Sequence, residues 1–215
     1  MIAELQIVSP PPFVMAVTGH RDLRPEDQGA LRQEVGKVLA EVRRRMPATP
    51  LLLLSGLAEG ADQLAAEVAL EQGVLLAAAL PMPLDIYRVQ MPEEAQEKLA
   101  KLLALSEVTI ELPLDGRTPE QIRTNNDVQA ACYEALAHFL VGHCQALIAL
   151  WNGRYSDKAG GTSRVVQYAC FSALTSSAER VESHCDVVYH VMTPRMSDDG
   201  APEEIRTVTI SCEPR

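Results

Sequence analysis

The sequence predicts a protein of the α/β class, with one doubly wound, mostly parallel sheet and helices on both of its faces. The first observation is that short apolar runs alternate along the chain with longer stretches in which apolar residues recur every three or four positions. The second is that the short runs are apolar throughout, as expected for strands buried on both faces. The length of 215 residues is sufficient for a single large domain.

The first half of the chain supplies three strand–helix units. The apolar runs 13–18, 51–54 and 74–80 are the predicted strands. A helix over 25–46 follows the first strand, because proline suits a first helical position and the apolar residues behind Pro25 form one stripe. A second helix begins near Ala61 and is ended by Gly73.

The second half is less regular. We expect a helix over 93–105, a weak strand over 107–112, and a loop over 114–124 because that segment is polar and lacks periodicity. The pattern continues with a helix capped by the residues at 125–127, a strand over 146–151 and a loop over 152–161. It ends with a helix capped by Thr162 and a last strand over 186–192. We predict one domain over 1–194 and an acidic tail or edge hairpin over 195–215.

Composition narrows the classes of partner. Acidic residues outnumber basic ones by 29 to 19, and aromatic residues make up 4% of the chain, so we expect no extended nucleic acid as partner. No apolar run reaches the roughly 20 residues of a membrane span, and the N-terminus lacks the pattern of a signal peptide. Five scattered cysteines without a C-x-x-C pair predict reduced, buried thiols, no metal site and a cytoplasmic location. Paired sheets of this class often assemble, so a homodimer is expected.

Glycine-rich loops follow three of the predicted strands, where ligands of doubly wound sheets bind. Glycine lets backbone N–H groups approach an anion, and a helix N-terminus adds unpaired donors and partial positive charge. Arg21 follows the first loop, and its planar guanidinium suits a phosphate. The predicted ligand-binding residues are Thr18, Gly19, His20, Arg21, Ser55, Gly56, Glu59, Asn152, Gly160, Gly161 and Thr162.

The same loops carry a family resemblance over roughly residues 13–192. Residues 55–62 (SGLAEGAD) resemble the SGLAxGID stretch of the bacterial Smf DNA-processing proteins, and 19–21 (GHR) and 160–162 (GGT) are similar to two further landmarks of the SLOG superfamily. That superfamily also includes the Lonely-guy nucleotide phosphoribohydrolases and nucleotide-sensing domains. The resemblance implies a Rossmann-like fold whose glycine loops bind nucleotides or signals derived from them.

One departure from the pattern bears on catalysis. In the Lonely-guy pattern a glutamate just inside the helix serves glycosidic cleavage, and Val165 occupies that place here. Glu59, from another loop, is the candidate replacement. We therefore expect the chain to bind or sense a nucleotide-derived small molecule (ADP-ribose-like, cyclic or mononucleotide) and to need no other cofactor. Two alternatives stay open: an N-glycosidase or phosphoribohydrolase acting on a nucleotide, and a protein-interaction domain without a ligand.

Overall fold

A computed structural model describes residues 10–156, 159–170, 183–198 and 204–212. These ranges contain seven strands and seven helices. The strands are β1 Phe13–Gly19, β2 Leu51–Ser55, β3 Leu75–Leu80, β4 Val108–Glu111, β5 Ala146–Trp151, β6 Val187–Met192 and β7 Thr207–Ser211. The helices are α1 Gln28–Arg45, α2 Ala61–Glu71, α3 Leu84–Arg88, α4 Glu93–Ala104, α5 Pro119–Thr124, α6 Asn126–Gly142 and α7 Thr162–Cys170.

All seven strands belong to one sheet, in the order β4-β3-β2-β1-β5-β6-β7. Strands β1 to β6 are parallel to their neighbours, and β7 runs antiparallel to β6 along one edge. The chain builds outward from β1 to β4 and then returns to place β5 on the other side of β1. The predicted doubly wound α/β fold is confirmed, and its switch point lies between β1 and β5.

Two apolar clusters cover the two faces of the sheet. In β1, Met15 and Val17 pack into one cluster with α1, α2 and α4, while Ala16 between them packs into the other with α6 and α7. Successive strand residues point to opposite faces, so a strand covered on both faces must be apolar at every position. That requirement explains the unbroken apolar runs.

Two short helices were not predicted. The segment 114–124 was expected to be a loop, and this is wrong, because Thr118 and Gln121 form a capping box at the start of α5. In that motif each side chain bonds the other residue's backbone N–H, which stabilises a first turn without a long apolar stripe. Helix α3 spans a single turn or so between two proline-containing segments and is too short to show periodicity.

Smaller differences concern the ends of elements. The predicted helix over 25–46 begins with a 3-10 turn at Pro25–Asp27 before α1. Thr162, expected as a cap, is the first residue of α7, and Ala173, expected on its apolar stripe, lies outside the described residues. Within 195–215, β7 forms the edge strand. Among the described residues no helix is both long and apolar enough to cross a membrane.

Candidate functional site

A cavity of about 680 Å³ lies at the carboxyl ends of β1 and β5. This is the switch point of the sheet, where the loops after the two strands diverge to opposite faces and leave a crevice. The start of α2 and the start of α7 both reach it. Eight of the predicted ligand-binding residues line it: Thr18, Gly19, His20, Arg21, Asn152, Gly160, Gly161 and Thr162.

Three predicted residues are placed elsewhere. Ser55 is fully buried, and its hydroxyl accepts a hydrogen bond from the N–H of Leu57 at 3.0 Å, which holds the turn after β2. Gly56 lies behind the wall, where its carbonyl accepts from the Tyr87 hydroxyl at 2.9 Å. Glu59 lines a separate pocket of about 200 Å³. The structure therefore does not bring these residues together with the other eight.

The wall formed by β1 and α2 is fixed by close backbone packing. The N–H of Ala61 donates to the carbonyl of His20 at 3.0 Å, which joins the loop after β1 to the first turn of α2. A Cβ on Gly19 would lie 2.3 Å from that of Ala61. Gly60 has φ +82°, and a Cβ there would lie 2.4 Å from the carbonyl oxygen of Arg21. Glycine at these positions brings the two segments into contact.

His20 connects the ends of β1 and β5. Its backbone N–H donates to Leu150, and its Nε2 accepts the N–H of Asn152 at 3.1 Å. Burial, reinforced by the positive charge of Arg195, lowers the pKa of His20 below its usual 6.5. A neutral ring that accepts at Nε2 carries its proton on Nδ1. His20 thus lines the cavity as a neutral group and offers no positive charge that could attract an anion.

Arg21 supplies positive charge to the cavity wall. Its guanidinium carbon lies 5.2 Å from the centre of the Tyr133 ring, in a cation–π contact. Two further arginines of the described wall, Arg154 and Arg195, are engaged in ion pairs with carboxylates. Arg21 forms no such ion pair among the described residues, although, against the effect of burial, the Asp62 carboxyl is near enough to raise the pKa of Arg21. Its charge is therefore less compensated than that of the other two.

Asp62 is a cavity-lining carboxyl at the start of α2 that the predicted set did not include. It is 8% exposed, and burial raises its pKa to about 7, although an N–H from Ala58 and the charge of Arg21 act in the opposite direction. The nearest donor, the Ala58 N–H, is 3.4 Å from Oδ2. A carboxyl that titrates near neutral pH inside a cavity is typical of functional sites.

On the opposite wall, the loop before α7 combines a close approach with a charged support. Gly160 has φ +62°, and a Cβ there would lie 2.5 Å from the Cβ of Tyr133. Its N–H donates to Oε2 of Glu134 at 2.6 Å. The N–H expected to bind a ligand phosphate is therefore already bonded. The N–H groups of Thr162 and Ser163, the first two of α7, point toward its N-terminal side, whereas those of Arg164 and Val165 already donate to the carbonyl of Gly161 at 2.9 and 3.1 Å.

Glu134, on α6, supports this loop from behind. Its other oxygen accepts from Arg164 at 2.8 Å and from the hydroxyl of Tyr168. Burial opposes its charge, but these bonds and that of Gly160 outweigh burial and lower the pKa of Glu134. The sequence carries no signal for this cluster, because Glu134 is 26 to 34 positions from Gly160, Arg164 and Tyr168 and no motif links them.

The mouth of the cavity is formed by the segment after β6, which we had expected to start a tail. Asp198 accepts hydrogen bonds from the side chain of Asn152 at 3.0 Å and from the backbone of Arg195 at 2.9 Å. Arg195 in turn pairs with Asp22 at 2.9 Å. Within the described ranges, no three His, Cys, Asp or Glu side chains are grouped so as to hold a metal ion.

Comparison with known proteins shows that this chain is similar in fold to two solved structures. No family model matches the sequence, and no curated protein matches it. Among solved structures, DNA processing protein A (DprA) of Streptococcus pneumoniae is similar over 72% of this chain and 45% of its own, with 19% identity and a TM-score of 0.47. DNA processing protein A of Helicobacter pylori is similar over 74% and 62%, with 14% identity and a TM-score of 0.43. The chain thus spans less than two thirds of either protein.

The comparison corrects the expected partners. The structure of the Helicobacter pylori protein is described for its single-stranded DNA binding mode. Our exclusion of an extended nucleic-acid partner was therefore wrong. It rested on the formal charge of −10, which is summed over the whole surface. The field in a cavity depends instead on local groups, here three arginines, of which Arg154 and Arg195 are paired with carboxylates, and the start of a helix.

Proposed function

We propose that this chain binds a small, anionic, nucleotide-derived molecule in the cavity between β1 and β5. The observation that carries the proposal is that Arg21 lines the same cavity as the N-terminus of α7, at the switch point of a doubly wound sheet. A guanidinium and unpaired backbone N–H groups are the two donors that phosphates most often use. We also infer a cytoplasmic location, because none of the five cysteines is in a disulfide.

The cavity volume supports a ligand larger than a free phosphate. About 680 Å³ lies within the range of 300–1,000 Å³ typical of small-molecule sites. In the proposed arrangement the phosphate contacts Arg21 and the first N–H groups of α7. The sugar and base are left to Asn152 and Tyr133, which already have partners. The Asn152 amide would exchange its bond to Asp198 for a sugar hydroxyl, and the Tyr133 ring, which Arg21 contacts, would stack on the base.

Calorimetry tests this proposal with AMP, cyclic AMP, ADP-ribose and inorganic phosphate as separate ligands. We expect at least one nucleotide to bind with a Kd below about 1 mM, and Arg21→Gln to weaken it about tenfold or more. Arg45→Gln is the matched control, because Arg45 lies at the end of α1 and pairs with Glu41 outside the cavity.

Two outcomes would contradict the proposal. One is the absence of nucleotide binding at millimolar concentrations in the folded wild-type protein. The other is equal affinity of the wild type and Arg21→Gln for every nucleotide that binds. A single-stranded oligonucleotide of about 10 residues forms a separate arm. If the oligonucleotide binds and none of the small nucleotides does, the ligand is a nucleic acid and the proposal of a small-molecule ligand is wrong.

One observation favours a second candidate, hydrolysis of the N-glycosidic bond of a nucleotide. Asp62 is a carboxyl on the cavity wall with its pKa raised to about 7, whereas Glu59 lines the other pocket. A carboxylate beside the sugar can stabilise the positive charge that develops as the bond breaks. Incubation of each nucleotide with wild type and Asp62→Asn, followed by chromatography for free base, tests this. Release by the wild type alone supports it, and no release contradicts it.

A further inference from the structure

Four of the five cysteines, scattered in sequence, meet at the edge of the sheet opposite the cavity. Cys144 and Cys185 each stand two residues before the paired starts of β5 and β6. Cys212 follows the end of β7, where its N–H donates to the carbonyl of Asp186 at 2.9 Å. Cys170 is the last residue of α7. The starts of the parallel strands β5 and β6, the end of the antiparallel strand β7 and the end of helix α7 thus lie close together.

The four thiols lie within one apolar cluster beneath α6 and α7, and Cys132 packs in the other cluster. The Sγ atoms of Cys170 and Cys212 are 3.2 Å apart. The Cys185 thiol donates to the carbonyl of Val187 at 3.3 Å, and the thiols of Cys144 and Cys212, together with burial, raise the pKa of Cys185. Cys170 and Cys185 are buried, whereas Cys212 is only half-buried. Cys212 is therefore the least buried member of the cluster and the one nearest to solvent.

We propose that Cys170 and Cys212 are an oxidisable pair, which a hydroperoxide converts to a disulfide that joins helix α7 to the edge strand β7. This is independent of the ligand proposed for the cavity. The two sulfur atoms are 3.2 Å apart, so they must approach by about 1 Å to reach the length of a disulfide bond.

The reaction proceeds in two steps that balance. The thiolate of Cys212 attacks hydrogen peroxide and, with one proton, becomes a sulfenic acid as water leaves. The thiolate of Cys170 then attacks the sulfenic sulfur and, with a second proton, releases another water as the disulfide forms. Two electrons pass from the two sulfur atoms to the peroxide. A dithiol reductant reverses the reaction by thiol–disulfide exchange.

The surroundings make this reaction slow at neutral pH and give it a structural consequence. The neighbouring Cys212 thiol and burial raise the pKa of Cys170, so its thiolate is scarce and the rate should increase with pH. The bond joins residues 42 positions apart and restricts the unfolded chain. The oxidised protein should therefore be more stable than the reduced one.

Oxidation of the full chain with hydrogen peroxide, followed by alkylation and trypsin digestion, tests the proposal. Cleavage after arginine gives peptides 165–180 and 207–215, each with a single cysteine of the pair. We expect mass spectrometry to find these two peptides linked, and Tm to rise by about 5 °C until dithiothreitol is added. Cys170→Ser and Cys212→Ser should each lose the link and the rise in Tm, whereas Cys132→Ser should match the wild type.

Three results would overturn the proposal. The first is wild-type protein that shows no linked 165–180 and 207–215 after prolonged oxidation at pH 8. The second is an unchanged rise in Tm in Cys170→Ser. The third is zinc in the purified protein that holds these thiols and blocks oxidation, which would make the cluster a metal site. The peptide mapping uses the wild type, so it decides the matter even if a variant does not fold.

Discussion

The two walls of the cavity are held in place by different forces. The wall of β1 and α2 depends on backbone contact, where Gly19 and Gly60 allow the loop after β1 to touch the first turn of α2. The wall of β5 and α7 depends on charge, where Glu134 holds the Gly160 loop and Asp198 holds Asn152. The wall of β1 and α2 is held by steric packing, and the wall of β5 and α7 is held by hydrogen bonds and ion pairs to carboxylates.

The difference predicts how each wall responds to change. Close packing does not tolerate an added methyl group but is indifferent to pH and salt. Carboxylate networks tolerate small changes of shape but weaken when the carboxylates are protonated. Arg21 belongs to the first wall and the start of α7 to the second, so the two proposed phosphate donors should be lost under different conditions.

The largest effect is expected where the packed wall is tightest. Gly60→Ala adds a Cβ 2.4 Å from a backbone carbonyl at a position with φ +82°, so overpacking and a strained backbone act together. We expect a loss of about 3 kcal/mol or more in the free energy of unfolding, measured by urea denaturation. Gly29→Ala is the control, because nothing lies within 4 Å there and alanine favours a helix. Equal stability of the two variants would refute the steric account.

The next largest effect is expected in the charged wall. Glu134→Ala leaves the N–H of Gly160 and the guanidinium of Arg164 without their acceptor, at a cost of about 2–3 kcal/mol. The folded pKa of Glu134 lies below its usual 4.5, so its contribution is complete above about pH 4.5 and is lost as pH falls further. Urea curves between pH 3 and pH 7 should show the gap to wild type closing in acid.

Glu97→Ala is the matched control for that series, because Glu97 is exposed on α4. Its stability should follow that of the wild type at every pH, since an exposed glutamate without buried partners contributes little. A constant gap between Glu134→Ala and wild type across the acid range would show that the charge of Glu134 is unimportant. Glu134 would then support the Gly160 loop through packing and not through its charge.

Asp62 breaks the simple contrast, because it is a buried carboxyl in the packed wall whose charge the Ala58 N–H and Arg21 compensate only in part. Its folded pKa of about 7 exceeds the usual 3.8, so ionisation destabilises the fold progressively as pH rises between these values. Asp62→Asn should therefore be more stable than wild type by about 2 kcal/mol already at pH 5.5, by more at pH 8, and nearly equal to it near pH 4. Urea denaturation at the three pH values measures this. A variant that is less stable at pH 8 would show that the ionised carboxylate is a structural requirement.

Sequence predicted the fold and much of the cavity wall for a physical reason. Burial on both faces demands unbroken apolar strands, and parallel strands place all their carboxyl ends at one edge. Residues adjacent to a strand end, such as Gly19, Arg21 and Asn152, were therefore placed correctly at that edge by position alone. Position at a strand end does not determine the direction in which a side chain points. The Ser55 hydroxyl, for example, points into its own turn and bonds the N–H of Leu57.

The residues that sequence did not supply act through distant contacts. Glu134 reaches the Gly160 loop from another helix, and Asp198 returns from beyond β6 to the end of β5. The four clustered thiols likewise come from separate parts of the chain, so their spacing predicted only reduced, buried thiols and not a cluster. Such contacts depend on how the elements pack against one another, which a local pattern does not encode.

The smallest effect is expected at the exposed margin of the charged wall. Arg154 pairs with Asp198 at 3.2 Å, but 62% of its side chain is exposed, so water and salt screen the pair. Arg154→Ala should change the free energy of unfolding by less than about 0.5 kcal/mol in urea denaturation at physiological salt. Asp198→Ala should cost more, because Asn152 and the backbone of Arg195 also bond to this carboxylate. Equal losses in the two variants would mean that the ion pair, and not the network behind it, holds this wall.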